Sequence, residues 1–567
     1  MAEQLTFEFE QRSTIKGFPE LHWTGKHPYR STQYYPAQLR ETYGSDNDGW
    51  MNKIFWGDNL QVMSHLLKEY RGKIDLVYID PPFDSKADYK KKIEIRGLGK
   101  TESDSSTFEE KQYGDIWTND EYLQFMYERL TLIYGLLSDT GSIVLHCDWH
   151  KQHQLRCVMD EVFGPDNFHN EIIFCYSGGG IPKTEMPRKH DNLLWYTKGK
   201  KWTFNTIYRP YSEGTLQRGR TAVKGENAEL RSEGTPINDW WTDVKKITSP
   251  TDPEKLYYPT QKSEELLNRI ITMLSNVDDI VFDCFMGSGT TQAVAMKLGR
   301  RFIGADINLG AIQTTTKRLI NIAKEFDVSS LADSEPKFSG FEVYNVNNYD
   351  FFRNPVEARE LIISALEIQP FSQNNIWDGE LDGRMVKIMP VNRIATKADL
   401  QSLIDNLPYK SYEKRKGETP NEPVERITIV CMGHEPDLKG ALEQELSDYK
   451  VDVQIVDILR DKSALQLKRD SEAEIVREGN KLIIRAFYPM NLLQKLSIQK
   501  EYVEDWRQMV DSIMIDWNFD GVVMQPSVTD VPAKNEMVIG IYDIPEDAGT
   551  IKVKITDVLS ESLEVEV

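Results

Sequence analysis

The chain has 567 residues, of which 40% are hydrophobic and 28% charged, and a formal net charge of −21. That length exceeds one ordinary core, and the usual span of roughly 100 to 200 residues per domain predicts about three or four units. The composition is that of a globular protein and excludes wholesale disorder, while the acidic balance excludes a protein that simply coats nucleic acid, because phosphate binding needs a cationic surface.

No run approaches the roughly 18 apolar residues of a membrane span, and the opening M-A-E-Q-L-T-F-E-F-E is acidic where a signal peptide is basic. A cytoplasmic protein with no membrane partner is expected. The five cysteines, Cys147, Cys157, Cys175, Cys284 and Cys431, are scattered and form no C-x-x-C pair, which predicts buried reduced thiols. Charge is unevenly spread. Between Ser177 and Lys262 there are 15 Lys and Arg against 10 Asp and Glu, so this middle segment is basic in an acidic chain.

In chain order, residues 1–50 are irregular and rich in Tyr, Pro and Gly, and read as an arm packed on another part of the molecule. Residues 51–340 read as one α/β unit. A helix, D-N-L-Q-V-M-S-H-L-L-K-E-Y, leads into an apolar strand at Ile74–Ile79. A second helix, N-D-E-Y-L-Q-F-M-Y-E-R-L, precedes the strand G-S-I-V-L-H, and a helix at Gln152–Phe163 precedes E-I-I-F-C-Y. Alternation of helices with short apolar strands is the signature of a largely parallel, doubly wound sheet. From about 177 to 259 the pattern gives way to Gly, Pro, Trp and basic residues, read as an insertion, and the sheet pattern then resumes with S-E-E-L-L-N-R-I-I-T-M-L and D-I-V-F-D-C-F. Residues 341–470 read as a small α/β domain and residues 471–567 as a β-rich C-terminal domain.

D-C-F-M-G-S-G-T-T, from Asp283 to Thr291, stands between a strand and a helix. Gly287 and Gly289 let the backbone turn sharply, and the helix N-terminus behind them favours an anionic group. The next strand ends in Asp306, 23 residues beyond Asp283, where an open α/β fold places an acid on a ribose. Gln292 stands in place of the third glycine of a dinucleotide fingerprint, and the G-K-[ST] of a phosphate-binding loop is absent. The second motif, Y-I-D-P-P-F from Tyr78 to Phe83, ends an apolar strand with an acid, two prolines and a ring.

The two motifs together resemble those of S-adenosylmethionine-dependent DNA amino-methyltransferases, and Y-P-T-Q-K-S before a helix resembles a third signature of that family. The order, with D-P-P-F first, a basic segment second and the glycine turn last, is similar to the β class, which includes modification subunits of restriction systems. The resemblance covers about residues 50–325. It implies a Rossmann-like methyltransferase sheet with an inserted target-recognition region, and S-adenosylmethionine as cofactor. Asp80, Pro81, Pro82 and Phe83 become the catalytic residues: the Asp80 carboxylate and Pro81 carbonyl accept the two N–H groups of an exocyclic amine, the prolines fix both acceptors, and Phe83 stacks on an extruded base. Asp at the first position is typical of adenine N6 enzymes, and Ser of cytosine N4 enzymes. Phe83 stands where Tyr is more frequent.

The resemblance further assigns Asp283, Phe285, Gly287, Gly289, Thr290 and Asp306 to the cofactor, with Thr260 and Lys262 at its methionine end and Asp58 at its adenine end. Asp58 also reads as a helix N-cap, and Phe285 as packing. Lys90 and Lys91, in a four-lysine run after the catalytic motif, and Arg188, Lys189, Arg209, Arg218 and Arg220 are candidate DNA contacts. H-C-D-W-H-K-Q-H, with His146, His150 and His153, runs from a strand into a helix capped by Asp148, so no metal is expected. Expected partners are double-stranded DNA, a second copy of the chain, and restriction, helicase or other defence-system subunits. The alternatives are a DNA-recognition and scaffold subunit of a multi-protein defence complex, motivated by the acidic C-terminal half, and a cytosine-N4 methyltransferase.

Overall fold

The computed structural model describes residues 6–9, 17–82, 88–94, 107–114, 119–176, 183–220, 229–247, 252–329 except 257 and 259, and 338–346. Among residues 359–567 it describes all but 360–361, 364–365, 367, 372–375, 390–394, 396, 406, 419–422, 432–437, 458–470, 494–502, 504 and 534–535.

The main element is a ten-stranded sheet. Its strands in chain order are β1 (Ala37–Tyr43), β2 (Asn52–Trp56), β3 (Ile74–Ile79), β4 (Leu137–Cys147), β5 (Phe168–Cys175), β6 (His190–Thr197), β7 (Trp240–Trp241), β8 (Ile280–Asp283), β9 (Arg301–Asp306) and β10 (Phe341–Val346). Across the sheet they lie in the order β7-β5-β6-β4-β3-β8-β9-β2-β10-β1. The six from β4 to β10 are parallel, β6 is antiparallel to β4 and β5, and β1 is antiparallel to β10.

Side chains alternate faces along a strand, and β3 shows the consequence. Val77 and Ile79 join one core cluster, with helices α1 (Asn59–Tyr70), α2 (Asn119–Leu136) and α3 (Gln152–Phe163). Leu76 and Tyr78 join the other, with α4 (Glu264–Leu274), α5 (Thr290–Lys297) and α6 (Leu309–Ser329). Both faces are covered, so the sheet is doubly wound. In α4, Leu266, Leu267, Ile270, Ile271 and Leu274 are buried at helical spacing, and each such side chain contributes roughly 2 kcal/mol relative to exposure.

Three parts of the sheet depart from the sequence reading. The stretch 177–259, read as an insertion, contributes β6, an inner strand of the sheet; its apolar core, L-L-W-Y, is short and sits between Gly- and Lys-rich flanks. Strand β10 lies beyond the boundary drawn at 340, yet pairs with β2 on one side and β1 on the other. Strand β1 comes from the segment read as an arm. Its sequence, A-Q-L-R-E-T-Y, buries Glu41, and the partners that make this tolerable are Tyr43 Oη at 2.7 Å and Lys554, from the other end of the chain.

Beyond the sheet, Gly379–Leu381, Arg384–Ile388, Glu425–Cys431, Val451–Asp457 and the short Gln369–Pro370 form a five-stranded sheet, packed with helices Lys397–Asp405, Tyr409–Glu418 and Leu438–Glu445. A three-stranded and a four-stranded antiparallel sheet share the last core. This β-rich part is docked on the main sheet: Met514, Phe519 and Met524 are buried in the same cluster as α4 to α6, and Met524 exchanges backbone hydrogen bonds with Arg40 and Thr42.

Candidate active site at the carboxyl edge of the sheet

Strands β3, β8 and β9 are adjacent and parallel, and each leads into an acid at its carboxyl end: Asp80, Asp283 and Asp306. In open α/β sheets this edge is where ligands bind. A cleft with about 760 Å³ of empty space, counting its open mouth, lies there. Its lining includes Asp80, Pro81, Pro82, Thr260, Lys262, Asp283, Phe285, Gly287, Thr290 and Asp306. Residues nearly 230 apart in sequence thus meet in one place.

The turn after β8 is held from within. Asp283 accepts from Phe285 N at 2.9 Å and from Thr291 Oγ1 at 2.6 Å. Burial, with Asp80 and Asp306 nearby, pushes its carboxyl up to about 7 despite those bonds. Asp306 accepts from Gly287 N and Asn308 N, both at 2.8 Å, and burial raises it to about 6. Gly287 and Gly289 have φ of 53° and 70°, a region that favours glycine. Arg318 donates to Ser288 O at 3.2 Å, Thr290 Oγ1 at 3.0 Å and Glu264 Oε1 at 2.8 Å, and so bolts the turn to α4.

The opposite wall is the segment before α4. Thr260, a β-branched residue, has φ of 59°, a strained conformation at the cleft. Gln261 keeps the segment folded by bonding Glu254 O and Leu256 N at 2.6 and 2.8 Å. Lys262 forms an ion pair with Asp80 Oδ2. The other carboxylate oxygen of Asp80, Oδ1, is buried and has no hydrogen-bond partner among the described residues.

Near Asp80 a polar chain crosses strands β3, β4 and β6 and ends on Tyr176, one residue past β5. Tyr78 Oη and His146 Nδ1 are 2.8 Å apart, His146 Nε2 and Asp191 Oδ2 3.3 Å, and Tyr176 Oη donates to Asp191 Oδ1 at 3.1 Å. Burial acts to raise the Asp191 carboxyl, but the His146 bond and charge prevail and hold it down at about 2. His146 is therefore a hydrogen-bonded core residue, and His150 bonds its neighbour Asp148 at 2.7 Å.

Asp58 is not among the cleft-lining residues. It caps α1 through Leu60 N at 2.9 Å and pairs with Arg129 at 3.1 Å. Arg129 also donates to Asn59 at 2.6 Å and packs 3.4 Å from the Phe125 ring centroid, and Phe125 lies against Phe285. Phe83 lies outside the described residues. Lys90 and Lys91 fall on a two-stranded ribbon, Asp88–Glu94 with Thr107–Gly114, and their side chains lie outside the described part. Arg188, Arg209, Arg218 and Arg220 are exposed. Arg188 pairs with Glu185 at 2.7 Å and lies 4.0 Å from the ring centroid of Trp149; Arg209 lies 5.9 Å from that of the exposed Trp240. The backbone of Lys189 continues the β5–β6 pairing through Tyr176 N at 3.0 Å.

Sequence reasoning missed Tyr258, Gln261, Ser288 and Thr291, which also line the cleft, and Arg129 and Arg318 behind it. The signal available for Arg129 was a lone arginine on an otherwise apolar face of α2.

An acidic edge of a doubly wound sheet with a glycine turn defines an α/β enzyme of nucleotide-cofactor type. Residues 74–317 match the DNA methylase family. The chain is 32% identical over 334 residues to the Type II methyltransferase M.HpaI of Haemophilus parainfluenzae, covering 56% of this chain and 93% of that protein. It is 26% identical over 291 residues to the DNA adenine methyltransferase YhdJ of Escherichia coli K12, covering 51% and 88%. It is 31% identical over 339 residues to the Mod subunit of the Type III restriction-modification enzyme StyLTI of Salmonella typhimurium, covering 45% and 51%. The chain belongs to the DNA methylase family.

Proposed function

We propose that this DNA methylase transfers a methyl group from S-adenosylmethionine to the N6 amine of adenine at a specific site in double-stranded DNA. The observation that carries the reading is Oδ1 of Asp80 at the cleft, buried and without a hydrogen-bond partner among the described residues, an acceptor placed where a donor is missing.

An exocyclic amine is a poor nucleophile because its lone pair is delocalised into the ring. Asp80 and the Pro81 carbonyl accept its two N–H bonds and return density to nitrogen, and the Pro81–Pro82 backbone keeps both acceptors fixed. Phe83 stacks on the extruded base. The cofactor, when bound, supplies an activated methyl group on a sulfonium. On its side of the cleft Asp306 binds ribose hydroxyls, and the Gly287–Thr290 turn with the N-terminus of α5 gives backbone close approach. Asp283 holds that turn, Phe285 packs beside it, and Thr260 and Lys262 bind the carboxylate end. Asp58 acts from behind, through Arg129 and Phe125. The acid at the first position of D-P-P-F and the likeness to the E. coli adenine methyltransferase support adenine over cytosine N4.

Arg188, Lys189, Arg209, Arg218 and Arg220, with Lys90 and Lys91, supply the phosphate and base contacts. The likeness to a Type III Mod subunit supports a place in a restriction-modification system, with restriction or helicase subunits or a second copy of the chain as partners, in the cytoplasm. The test of the site is Asp80→Ala. Methyl transfer to duplex DNA is expected to fall at least ~100-fold while calorimetry shows cofactor still bound; retained transfer would refute the assignment.

A further inference from the structure

Among the described residues lining the cleft, Lys262 is the one cation, facing the carboxyl groups of Asp80, Asp283 and Asp306. Its ammonium sits on Asp80, while its backbone carbonyl accepts from Thr290 Oγ1 at 3.2 Å, in the first turn of α5. The residue therefore spans the cleft: its main chain is tied to the glycine-turn side and its charge to the D-P-P-F side. Both side chains are mostly buried, 11% and 16% exposed, so solvent screens the pair weakly.

That placement conflicts with the roles read for each partner. A carboxylate neutralised by an ammonium is a weaker acceptor for an amine N–H, so Asp80 as found is not in its best acceptor state. A carboxylate entering this acidic cleft has only Lys262, among the described lining side chains, to neutralise it.

We propose that Lys262 serves two partners in turn: it holds Asp80 in the ligand-free protein and passes to the carboxylate of the cofactor's methionine moiety on binding, which opens Asp80 to the target amine. The proposal rests on the reading of the cleft as the cofactor site. Its consequence is order. Cofactor binding prepares the base site, and because coupling is reciprocal, target DNA and cofactor each tighten the other.

S-adenosylhomocysteine is the appropriate probe, since it keeps the carboxylate and lacks the sulfonium charge that Asp80 would itself attract. By calorimetry, Asp80→Asn, which keeps the shape and removes the charge, is expected to bind it about tenfold more tightly than the wild-type protein, in the usual range of coupling. Lys262→Gln is expected to bind it about tenfold more weakly, and adding Asp80→Asn to Lys262→Gln to change nothing further. In parallel, the ligand should raise wild-type affinity for a target duplex, and this gain should vanish in both single variants. Thermal unfolding of each variant establishes that it is folded. Unchanged or weaker binding by Asp80→Asn, or an equal gain in the Lys262→Gln background, would overturn the exchange while leaving the cleft as the cofactor site. Absence of binding by the wild-type protein would remove the cofactor reading, and the exchange with it.

Discussion

Gly289 and Thr315 stand so close that a β-carbon built on the glycine would lie 2.4 Å from Thr315 Cγ2 and 2.5 Å from its Oγ1. With φ of 70° as well, position 289 tolerates no side chain for two independent reasons. Gly289→Ala is therefore expected to cost ~2 to 4 kcal/mol in denaturant unfolding and to lose measurable cofactor binding. Thr315→Ala in the same chain should recover part of the stability, because it removes the overlap with Cγ2 and Oγ1 but leaves the backbone strain and the approach of the Cβ at position 315, 2.9 Å away. No recovery would mean that the cost lies in the backbone and that remaining Cβ contact.

Arg129 is 6% exposed and has Asp58, Asn59 and Phe125 as partners. Arg129→Met leaves the partly buried Asp58 without its charge partner, and removing one side of such a pair is expected to cost about 1 to 3 kcal/mol. Asp58→Asn, which keeps an oxygen for the cap, should cost less. If cofactor affinity falls in Asp58→Asn while stability holds, Asp58 contacts the cofactor directly instead of acting through Arg129.

The pH dependence of stability has a defined sign at Asp283. Its carboxyl titrates near 7 in the folded protein and near 4 in an unfolded chain. Between those values the unfolded chain gives up its proton and the folded one keeps it, so this group makes stability fall as pH rises from about 4 to about 7, with the full penalty above that. The unfolding midpoint of Asp283→Asn is expected to fall less over that window than the wild-type midpoint. A fall of the same size in both would show that Asp283 ionises freely in the fold.

The β-rich C-terminal part is held to the main sheet by the Lys554–Glu41 and Lys317–Asp511 ion pairs and by Met514, Phe519 and Met524 in a shared core. Truncation after residue 470 uncovers that core and leaves Glu41 buried without its cation. The shortened chain is expected to unfold at least ~5 °C lower or to aggregate; an unchanged midpoint would mean that the contact adds nothing.

Much of the site was legible because its chemistry is local. The D-P-P-F tetrapeptide, the glycine turn and Asp306 each follow an apolar strand, and the parallel sheet brings strand ends to one edge without further information. The near-continuous apolar run I-D-L-V-Y-I likewise foretells two covered faces. What escaped depends on contacts distant in sequence. The overlap that excludes a side chain at 289 comes from a helix 26 residues away, and Lys262 and Asp80 are 182 residues apart. Strand β1 reads as an irregular polar stretch because its buried Glu41 is balanced by Lys554, and β6 is short enough for its basic flanks to dominate.

Methyl transfer to adenine N6 is measured by incubating the purified protein with isotope-labelled S-adenosylmethionine and mixed-sequence duplex DNA, digesting to nucleosides, and identifying the labelled one by mass spectrometry. Label is expected in N6-methyldeoxyadenosine and is lost in Asp80→Ala. Label in N4-methyldeoxycytidine, or in no nucleoside despite bound cofactor, would contradict transfer to adenine N6.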